Sequence, residues 1–285
     1  MKPAAFDYHR PETVEEAVAL LAKYAPEDGR ILAGGQSLVP TMAFRLARPG
    51  HLVDINGIDA LNQIELDGDA LCIGACARHA DFHKPVCAGP LGELLARVVR
   101  DIAHYPIRVR GTFCGSAAHA DPASEWCLVA ATLDATMVAV STSGERLIPA
   151  AEFFETIMTT ALAEDELLRE VRIPALAHDT HFGFEEFNRR AGDFAIAMAL
   201  VTFRLEDGLM VDPHIGIGGA EDRPRRIAEA ETSLAGKPPA DAAFRRAAEV
   251  AAAAIDPMED HTTSAGYRRG LVATLTRRAL ERASL

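Results

Sequence analysis

Two glycine-rich segments, far apart in the chain, constrain the fold and the function more than any other feature. The longer one, residues 111–122, reads GTFCGSAAHADP and precedes an apolar run at 126–133 that predicts a helix. The shorter one, residues 33–38, reads AGGQSL and follows the strand-like run at 31–33. Glycine lets an anion approach backbone N–H groups closely and tolerates positive φ. We call these the second and the first glycine segment, and together they predict two loops that close on one diphosphate.

Several of these residues also have a simpler interpretation. Residues 34–35, taken alone, fit a tight turn and nothing more. Thiolate character is possible for Cys114 near backbone N–H groups, but a small side chain that fits the turn is the preferred interpretation. His119 is interpreted as structural, because its spacing to Asp121 matches no catalytic motif. The glycines at 216–219 do not complete G-x-G-x-x-G and predict a turn between a strand and a helix.

Composition and charge exclude several classes of protein. The 285 residues, 49% of them hydrophobic, suffice for one large domain or two ordinary ones. A formal net charge of −12, without a Lys/Arg block, argues against nonspecific nucleic-acid binding. We expect neither a signal peptide nor a membrane span, which needs roughly 18 apolar residues in a row. The five cysteines are odd in number and lack a C-x-x-C pair, which predicts reduced thiols in a cytoplasmic protein and no metal site.

Motifs for self-sufficient catalysis are missing from the sequence. It contains no H-E-x-x-H, no G-x-S-x-G and no G-x-x-x-x-G-K-S/T, which argues against zinc hydrolysis, serine hydrolysis and P-loop phosphoryl transfer. What the sequence does contain is a pair of segments suited to bind phosphate, with no evident nucleophile or general base. Such a site suits a nucleotide-like cofactor that carries its own chemistry, with the diphosphate on amide dipoles rather than on lysines.

Apolar periodicity predicts an α+β fold. A first domain covers residues 1–176, in lobes of about 1–58 and 59–176, and a C-terminal α+β domain covers 177–285. A capping box of Thr13 and Glu16 begins the first helix, and Asp121 or Ser124 caps the helix that follows the second glycine segment. The predicted helices lie at 13–24, 92–103, 126–133, 225–234, 240–255 and 264–283. The predicted strands lie at 30–33, 51–55, 70–77, 136–142, 146–148, 166–173, 181–188, 194–205 and 209–217.

Together, the two glycine segments resemble the paired FAD motifs of one protein family. This family is the flavoprotein, or medium, subunit of the molybdenum hydroxylases, which include carbon monoxide dehydrogenase and bacterial relatives of xanthine dehydrogenase. The resemblance extends over nearly the whole chain, through residues 6–11, 71–75, 170–174, 187–195, 216–220, 223–224 and 264–269. It implies a two-lobed FAD-binding domain of the vanillyl-alcohol-oxidase/PCMH type, followed by a small antiparallel sheet with helices.

The resemblance also implies the residues of the cofactor site. The FAD diphosphate and ribityl chain would lie on Ala33, Gly34, Gly35, Gln36, Ser37, Leu38, Gly111, Thr112, Cys114, Gly115 and Ser116. Ile102 and Leu168 match apolar positions that line the flavin, and Asp193 falls in an Arg-Arg-x-Gly-Asp segment near the ring. Asp121 and Glu125 match acidic positions after the second segment, with Glu125 placed to bind a ribityl or ribose hydroxyl. No catalytic residue and no metal ligand is assigned to this chain.

Three positions depart from the family's pattern. Cys114 and Ser116 stand where the family usually has glycine and asparagine, which narrows the φ range at 114 and leaves fewer side-chain hydrogen bonds at 116. Glu186 stands near the flavin edge where the family often has a lysine, and the missing cation predicts a lower flavin potential. No cysteine-rich insertion follows Gly111, so the extra iron–sulfur cluster of the 4-hydroxybenzoyl-CoA reductase branch is not expected.

By resemblance, the chain is the FAD-carrying electron-transfer subunit of a heterotrimeric molybdenum hydroxylase, assembled as a dimer of heterotrimers. A large partner would carry molybdenum on molybdopterin cytosine dinucleotide, and a small partner would carry 2Fe-2S clusters. Electrons would pass through FAD to NAD, a quinone, oxygen or another acceptor. Two alternatives stay open: a scaffold of the same fold that lost its flavin through the changes at Cys114 and Ser116, and a self-sufficient flavin oxidase.

Overall fold

A small parallel sheet organises the first lobe. In the computed structural model, which describes residues 2–285, this lobe contains β1 (Asp7–His9), α1 (Val14–Tyr24), β2 (Gly29–Leu32), α2 (Leu38–Ala43) and β3 (His51–Asp54). The strands pair in the order β1-β3-β2. Thr13 caps α1 as predicted, since its hydroxyl accepts from the Glu16 N–H at 3.1 Å. The reciprocal half of the predicted capping box is wrong, because the Glu16 carboxylate accepts from the N–H of Glu12.

The second lobe is an antiparallel sheet covered by helices. Its strands are β4 (Ile64–Asp67), β5 (Ala70–Gly74), β6 (Thr136–Ser141), β7 (Gly144–Pro149), β8 (Phe154–Thr156), β9 (Thr159–Thr160) and β10 (Leu167–Pro174). Its helices are α3 (Pro90–Val98), α4 (Tyr105–Arg108), α5 (Phe113–His119), α6 (Glu125–Thr132) and α7 (Ala150–Phe153). The large sheet has the order β4-β5-β10-β6-β7, and β8 pairs with β9. Every residue of α6 is buried, so this helix is apolar on all sides and lies at the centre of the molecule.

The C-terminal domain is a four-stranded antiparallel sheet with helices beside it. Its elements are β11 (His181–Phe187), β12 (Ala197–Glu206), β13 (Leu209–Gly218), β14 (Arg225–Arg226), α8 (Ala228–Leu234), α9 (Asp241–Ala254) and α10 (Ala265–Ala283). The helix predicted from 225 is wrong in its first turn, because Arg225 and Arg226 pair with β13 as a short strand. The turn predicted at 216–219 is also misplaced: Gly216 and Gly218 lie within β13 and the chain bends only at Gly219.

Helix α6 packs directly on strand β13 and joins the two domains. A Cβ on Gly216 would lie 1.8 Å from the Thr132 hydroxyl oxygen, so only glycine permits this approach. His214 Nδ1 lies 2.9 Å from the carbonyl oxygen of Thr132, and the Gly219 N–H donates to the carbonyl of Pro122 at 2.7 Å. We propose a domain border between residues 176 and 177, since the sheets on its two sides share no strand.

Titratable side chains are scattered rather than grouped for metal binding. Within residues 2–285, no three His, Cys, Asp or Glu side chains are close enough together to hold a metal ion. All five cysteines are free thiols, and four of them are buried. None of the helices described in this range has both the length and the apolar character that crossing a bilayer requires.

We expect the Arg268→Ala variant to lower the free energy of unfolding by about 3 kcal/mol, because it leaves the carbonyls of Ile196 and Gly219 without their charged donor. Arg268 is 8% exposed and donates from Nη1 to the carbonyls of Ile196 and Gly219, both at 2.7 Å. Its Nη2 donates to Asp260 at 2.8 Å. Chemical denaturation of the full chain measures the loss. Arg246→Ala, on the exposed face of α9, is the control and should change stability by no more than about 0.5 kcal/mol.

Candidate functional site

One large cleft, of about 1100 Å³, opens between the two lobes and the first residues of the C-terminal domain. Both glycine segments line it. Of the predicted site residues, all except Glu186 lie on its walls: Ala33, Gly34, Gly35, Gln36, Ser37, Leu38, Ile102, Gly111, Thr112, Cys114, Gly115, Ser116, Asp121, Glu125, Leu168 and Asp193. The C-terminal domain contributes a short wall at 192–194.

The two glycine segments touch each other at Gly34. A Cβ on this residue would lie 2.3 Å from the carbonyl oxygen of Arg110 and 2.7 Å from the Cα of Gly111. Both distances are far below van der Waals contact, so the approach of the two backbones requires glycine at this position. The second segment begins 73 residues after the first one ends, at 111 and 38, yet the two form one continuous edge of the cleft.

The first glycine segment is a turn whose amides are free to bind. Gly35 has φ of +70°, and its carbonyl accepts from the N–H of Val39 at 3.0 Å as α2 begins. The Gln36 side chain folds back and donates to the carbonyl of Gly34 at 3.0 Å. Within residues 2–285, no acceptor receives the backbone N–H of Gly34, Gly35 or Gln36. A row of unpaired amides is the arrangement that a phosphate group satisfies.

The loop predicted for the second glycine segment is largely wrong, because Phe113–His119 form helix α5. Thr112 causes this: its hydroxyl accepts from the N–H of Gly115 at 3.0 Å and caps the helix. A Cβ on Gly115 would lie 2.5 Å from that hydroxyl oxygen, so glycine keeps the cap closed. The glycine therefore serves local helix capping as well as access to the cleft.

Cys114 is a buried residue of α5 and not a reactive loop thiol. Its Sγ donates to the carbonyl of Ile73 at 3.3 Å, and burial raises the pKa of the thiol far above its usual range. The concern that a Cβ at this position restricts φ is wrong, because the residue has helical backbone. The preferred interpretation, a small side chain that fits its surroundings, agrees with this environment.

Neither Asp121 nor Ser124 caps α6 with its side chain, as the sequence predicted for one of them. Asp121 accepts from the N–H of Ala123 at 2.9 Å and so closes a turn before α6. Ser124 occupies the N-cap position of α6, but its side chain makes no capping hydrogen bond. His119 ends α5 and lines the cleft, without a partner that would make it a catalytic base among residues 2–285.

Asn56 and Arg78, which sequence reasoning missed, tie the two glycine segments together. The Asn56 side-chain amide donates to the carbonyl of Ala33 at 2.8 Å. The Arg78 guanidinium donates both to the Asn56 carbonyl oxygen and to the carbonyl of Arg110. These hydrogen bonds form a continuous chain from Ala33 through the side chains of Asn56 and Arg78 to the carbonyl of Arg110, directly before the second segment. No local pattern marks either residue, since a polar side chain in a turn is ordinary.

Ile102 and Leu168 form apolar walls, as the resemblance implied for positions beside a flavin. Both are buried except toward the cleft. Asp193 lies on the opposite wall, where its carboxylate accepts from Arg190 Nε at 3.1 Å. The cleft thus changes from polar at the glycine segments to apolar beside Ile102, which suits a ligand with a charged middle and a flat apolar end.

Glu125 and Glu186 form a buried pair of carboxyl groups below the cleft, at the border of the two domains. Glu125, at the start of α6, is 8% exposed and lines the cleft. Glu186, on β11, lies behind it and accepts from Asn188 Nδ2 at 2.9 Å. Burial raises the pKa of both carboxyls. The negative charges of Glu125 and Asp101 raise the pKa of Glu186 further, and those of Asp101 and Asp121 do the same for Glu125. One of the two therefore holds a proton at neutral pH.

The residues of this cleft fit FAD. Unpaired amides at the contact of the two segments suit a diphosphate, and the apolar walls suit an isoalloxazine ring. The volume suits a dinucleotide, which is larger than the drug-sized ligands that most clefts bind.

Comparisons with known proteins agree with this fit. Residues 4–176 match the family described as "FAD binding domain in molybdopterin dehydrogenase", and residues 182–283 match the "CO dehydrogenase flavoprotein C-terminal domain". The caffeine dehydrogenase subunit beta of Pseudomonas sp. (strain CBB1) is 38% identical, over 100% of this chain and 96% of that protein. The nicotine 6-hydroxylase medium subunit of Paenarthrobacter nicotinovorans is 37% identical, over 98% of each.

The solved structures include the same fold. Carbon monoxide dehydrogenase from Hydrogenophaga pseudoflava, in a form that lacks the Mo-pyranopterin moiety of the molybdenum cofactor, has a chain that superposes with a TM-score of 0.95. That chain is 36% identical, and the match covers 100% of this chain and 99% of that one. The predicted fold class and the assignment to an oxidoreductase complex are confirmed. The chain belongs to the FAD-binding medium subunits of the molybdenum hydroxylases.

Proposed function

We propose that this chain holds FAD between its two glycine segments and passes electrons from the 2Fe-2S clusters of a partner subunit to an external acceptor. The observation that carries the proposal is the contact of Gly34 with Arg110 and Gly111, which places the unpaired amides of residues 34–36 beside the second segment at one edge of the cleft. When bound, FAD supplies the redox chemistry, and the protein supplies binding, orientation and electrostatics.

The chain's own residues have separable tasks in this proposal. The amides of residues 34–36 hold the diphosphate, and Thr112 keeps the start of α5 in place beside it. Ile102 and Leu168 exclude water from one end of the cleft, where the ring would lie. Glu125 offers a carboxyl oxygen to a ribityl or ribose hydroxyl from below.

We further propose that the chain works in a heterotrimer with a large molybdopterin subunit and a small iron–sulfur subunit, arranged as a dimer of heterotrimers in the cytoplasm. The names of relatives support a multi-subunit complex, since two of them are called subunit beta and medium subunit. Caffeine and nicotine, in those same names, are N-heterocycles, and they favour an N-heteroaromatic substrate whose pocket lies on the large partner. The acceptor is NAD, a quinone, oxygen or another oxidant.

We expect the purified complex to show the visible absorption of an oxidised flavin, with one FAD per copy of this chain. Adding the substrate of the complex without an acceptor should bleach that absorption, because electrons leave the partner's clusters only through the bound cofactor. Absorption spectroscopy before and after heat release of the cofactor measures both. A well-folded, fully assembled complex without flavin would contradict the proposal and favour the scaffold alternative.

A further inference from the structure

His79 lies buried where the two glycine segments meet, and neither motif includes it. Its side chain is 4% exposed and lines the cleft. A Cβ on Gly111 would lie 2.5 Å from the Nε2 of His79, so this nitrogen packs against the second segment. Gly111 in turn packs against Gly34 of the first segment. The edge of the imidazole therefore lies next to the contact of the two segments, where the unpaired amides of residues 34–36 are found.

Trp126 determines which ring nitrogen of His79 carries the proton. Its indole Nε1 lies 2.9 Å from Nδ1 of His79. An indole N–H only donates, so Nδ1 is the accepting, unprotonated nitrogen. Burial lowers the pKa of His79 to about 4, and the positive charges of Arg108 and Arg78 act in the same direction, so the ring is neutral at physiological pH. A neutral imidazole that accepts at Nδ1 carries its hydrogen on Nε2.

The Nε2–H of His79 has no acceptor of its own in the protein. Within residues 2–285, the bond to Trp126 is the one hydrogen bond of the ring, although the side chain is more than nine-tenths buried. The Nε2 atom itself is not among the fully buried atoms that lack a partner in the described part of the chain, so it is open to the cleft. A ligand that displaces water there leaves it unsatisfied unless the ligand accepts the hydrogen bond. Such a donor on the wall of a cleft therefore points to a ligand acceptor. The guanidinium groups of Arg78 and Arg108 nearby make that ligand an anion.

We propose that His79 donates a hydrogen bond from Nε2–H to a diphosphate oxygen of the bound dinucleotide, as a further donor beside the unpaired amides of residues 34–36. This inference rests on the proposed function, because it needs FAD in the cleft. Because Trp126 holds the neutral imidazole in one tautomer, the ring does not have to reorganise when the ligand binds. Its hydrogen bond to a phosphate oxygen is charge-assisted. His79 is thus a binding residue, and Trp126 is a positioning residue that acts through it.

Two substitutions at His79 separate the two ring nitrogens. The amide of His79→Asn reaches the position of Nδ1 and preserves an acceptor for Trp126, but it removes the donor to the cleft. The amide of His79→Gln reaches the position of Nε2 and preserves that donor. We expect the dissociation constant of the full chain for FAD, measured by flavin fluorescence, to rise about 10- to 100-fold in the asparagine variant and no more than about threefold in the glutamine variant.

Riboflavin, which lacks the diphosphate, is the matched ligand. Its affinity should be the same in the wild type and in both variants, whereas general damage to the cleft would weaken both ligands. His178→Asn, in an exposed loop, controls for the substitution itself and should bind FAD as the wild type does. Equal FAD affinity in the wild type and His79→Asn would overturn the role of His79, and so would an equal loss for riboflavin. Failure of the wild type to bind FAD would instead overturn the proposed function.

A measurement on the wild type covers the case in which the asparagine variant is unstable. In a chain labelled with ¹⁵N-histidine, the Nε2–H signal of His79 should shift on adding FAD and stay in place on adding riboflavin. The signal is assigned by its loss in His79→Gln. A signal that does not move with FAD, in a sample that binds FAD, contradicts the proposal.

Discussion

Alanine in place of Gly34 is expected to lower the affinity for FAD about 100-fold. The added Cβ would lie 2.3 Å from the carbonyl oxygen of Arg110 and 2.7 Å from the Cα of Gly111. Both neighbours are backbone atoms, so no side chain can rotate away and the two segments must separate. The unpaired amides of residues 34–36 would then be displaced from the edge of the cleft that they share with the second segment, and each charge-assisted bond that is lost costs about 1.5–3 kcal/mol.

The same variant should lose only about 1–3 kcal/mol of stability without cofactor, the usual cost of overpacking. Flavin fluorescence gives the dissociation constant, and thermal unfolding of the flavin-free chain gives the stability. Gly270→Ala in α10 is the matched control: a Cβ there meets no atom within 4 Å, and alanine favours a helix over glycine by about 1 kcal/mol. It should leave FAD binding unchanged. Gly34→Ala binding FAD with the affinity of the wild type would mean that the segments do not share a ligand.

Local chemistry made the first glycine segment predictable. Residues 33–38 follow an apolar strand and contain adjacent glycines, and the structure has a turn there with Gly35 at positive φ. The same reasoning failed for α5, because small residues between Thr112 and Ala118 carry no apolar stripe. A cap at Thr112 and burial of Phe113 form that helix, and burial depends on the rest of the fold. The local pattern therefore mistook the conformation of this segment, although the segment does line the cleft.

Residues that act through contacts with distant parts of the chain could not be predicted from local sequence patterns. His79 lies 47 residues before its partner Trp126 in the sequence, and nothing near either one marks the pair. Arg78 reaches Asn56 and Arg110 in the same way. The C-terminal ends of β12 and β13 lie within one residue of the predicted bounds, but the predicted start of β12 at 194 is wrong by three residues. Arg225 and Arg226 joined the sheet because Glu221 and Glu231 hold their guanidinium groups. Such ion pairs depend on which elements become neighbours.

Glu186 is singled out by the sequence, but its neighbours in the fold determine its charge and its role. From the resemblance alone, Glu186 is interpreted as the replacement of a lysine that the family often has near the flavin edge. In the structure it faces Glu125 across the domain border, with Asp101 and Arg97 as the other charged groups nearby. Within residues 2–285 its buried Oε2 has no hydrogen-bond partner. The two carboxyl groups therefore share a proton. This pairing should change the free energy of unfolding as well as the environment of the flavin.

We expect Glu186→Gln to raise the free energy of unfolding by roughly 2 kcal/mol at about pH 8 and to leave it unchanged at about pH 5. Both carboxyls have a raised pKa in the folded protein, so above the ordinary glutamate pKa of 4.5 the folded state binds more protons than the unfolded chain. The free energy of unfolding of the wild type must then fall as pH rises through this range. Glutamine imitates the protonated acid and can still donate to Glu125, so the slope with pH should become smaller.

Denaturant unfolding of the flavin-free full chain at several pH values between about 5 and 9 measures that slope. Glu152→Gln removes one exposed carboxyl without hydrogen bonds and should reproduce the wild-type curve. A wild-type slope that persists in Glu186→Gln would mean that other groups bind the extra protons and that the two acids are not paired. If the slope disappears and the FAD affinity stays that of the wild type, the pair belongs to the domain border and Glu186 is not a ligand of the cofactor. That outcome agrees with its position behind the wall of the cleft, where Glu125 separates it from the space that a cofactor can occupy.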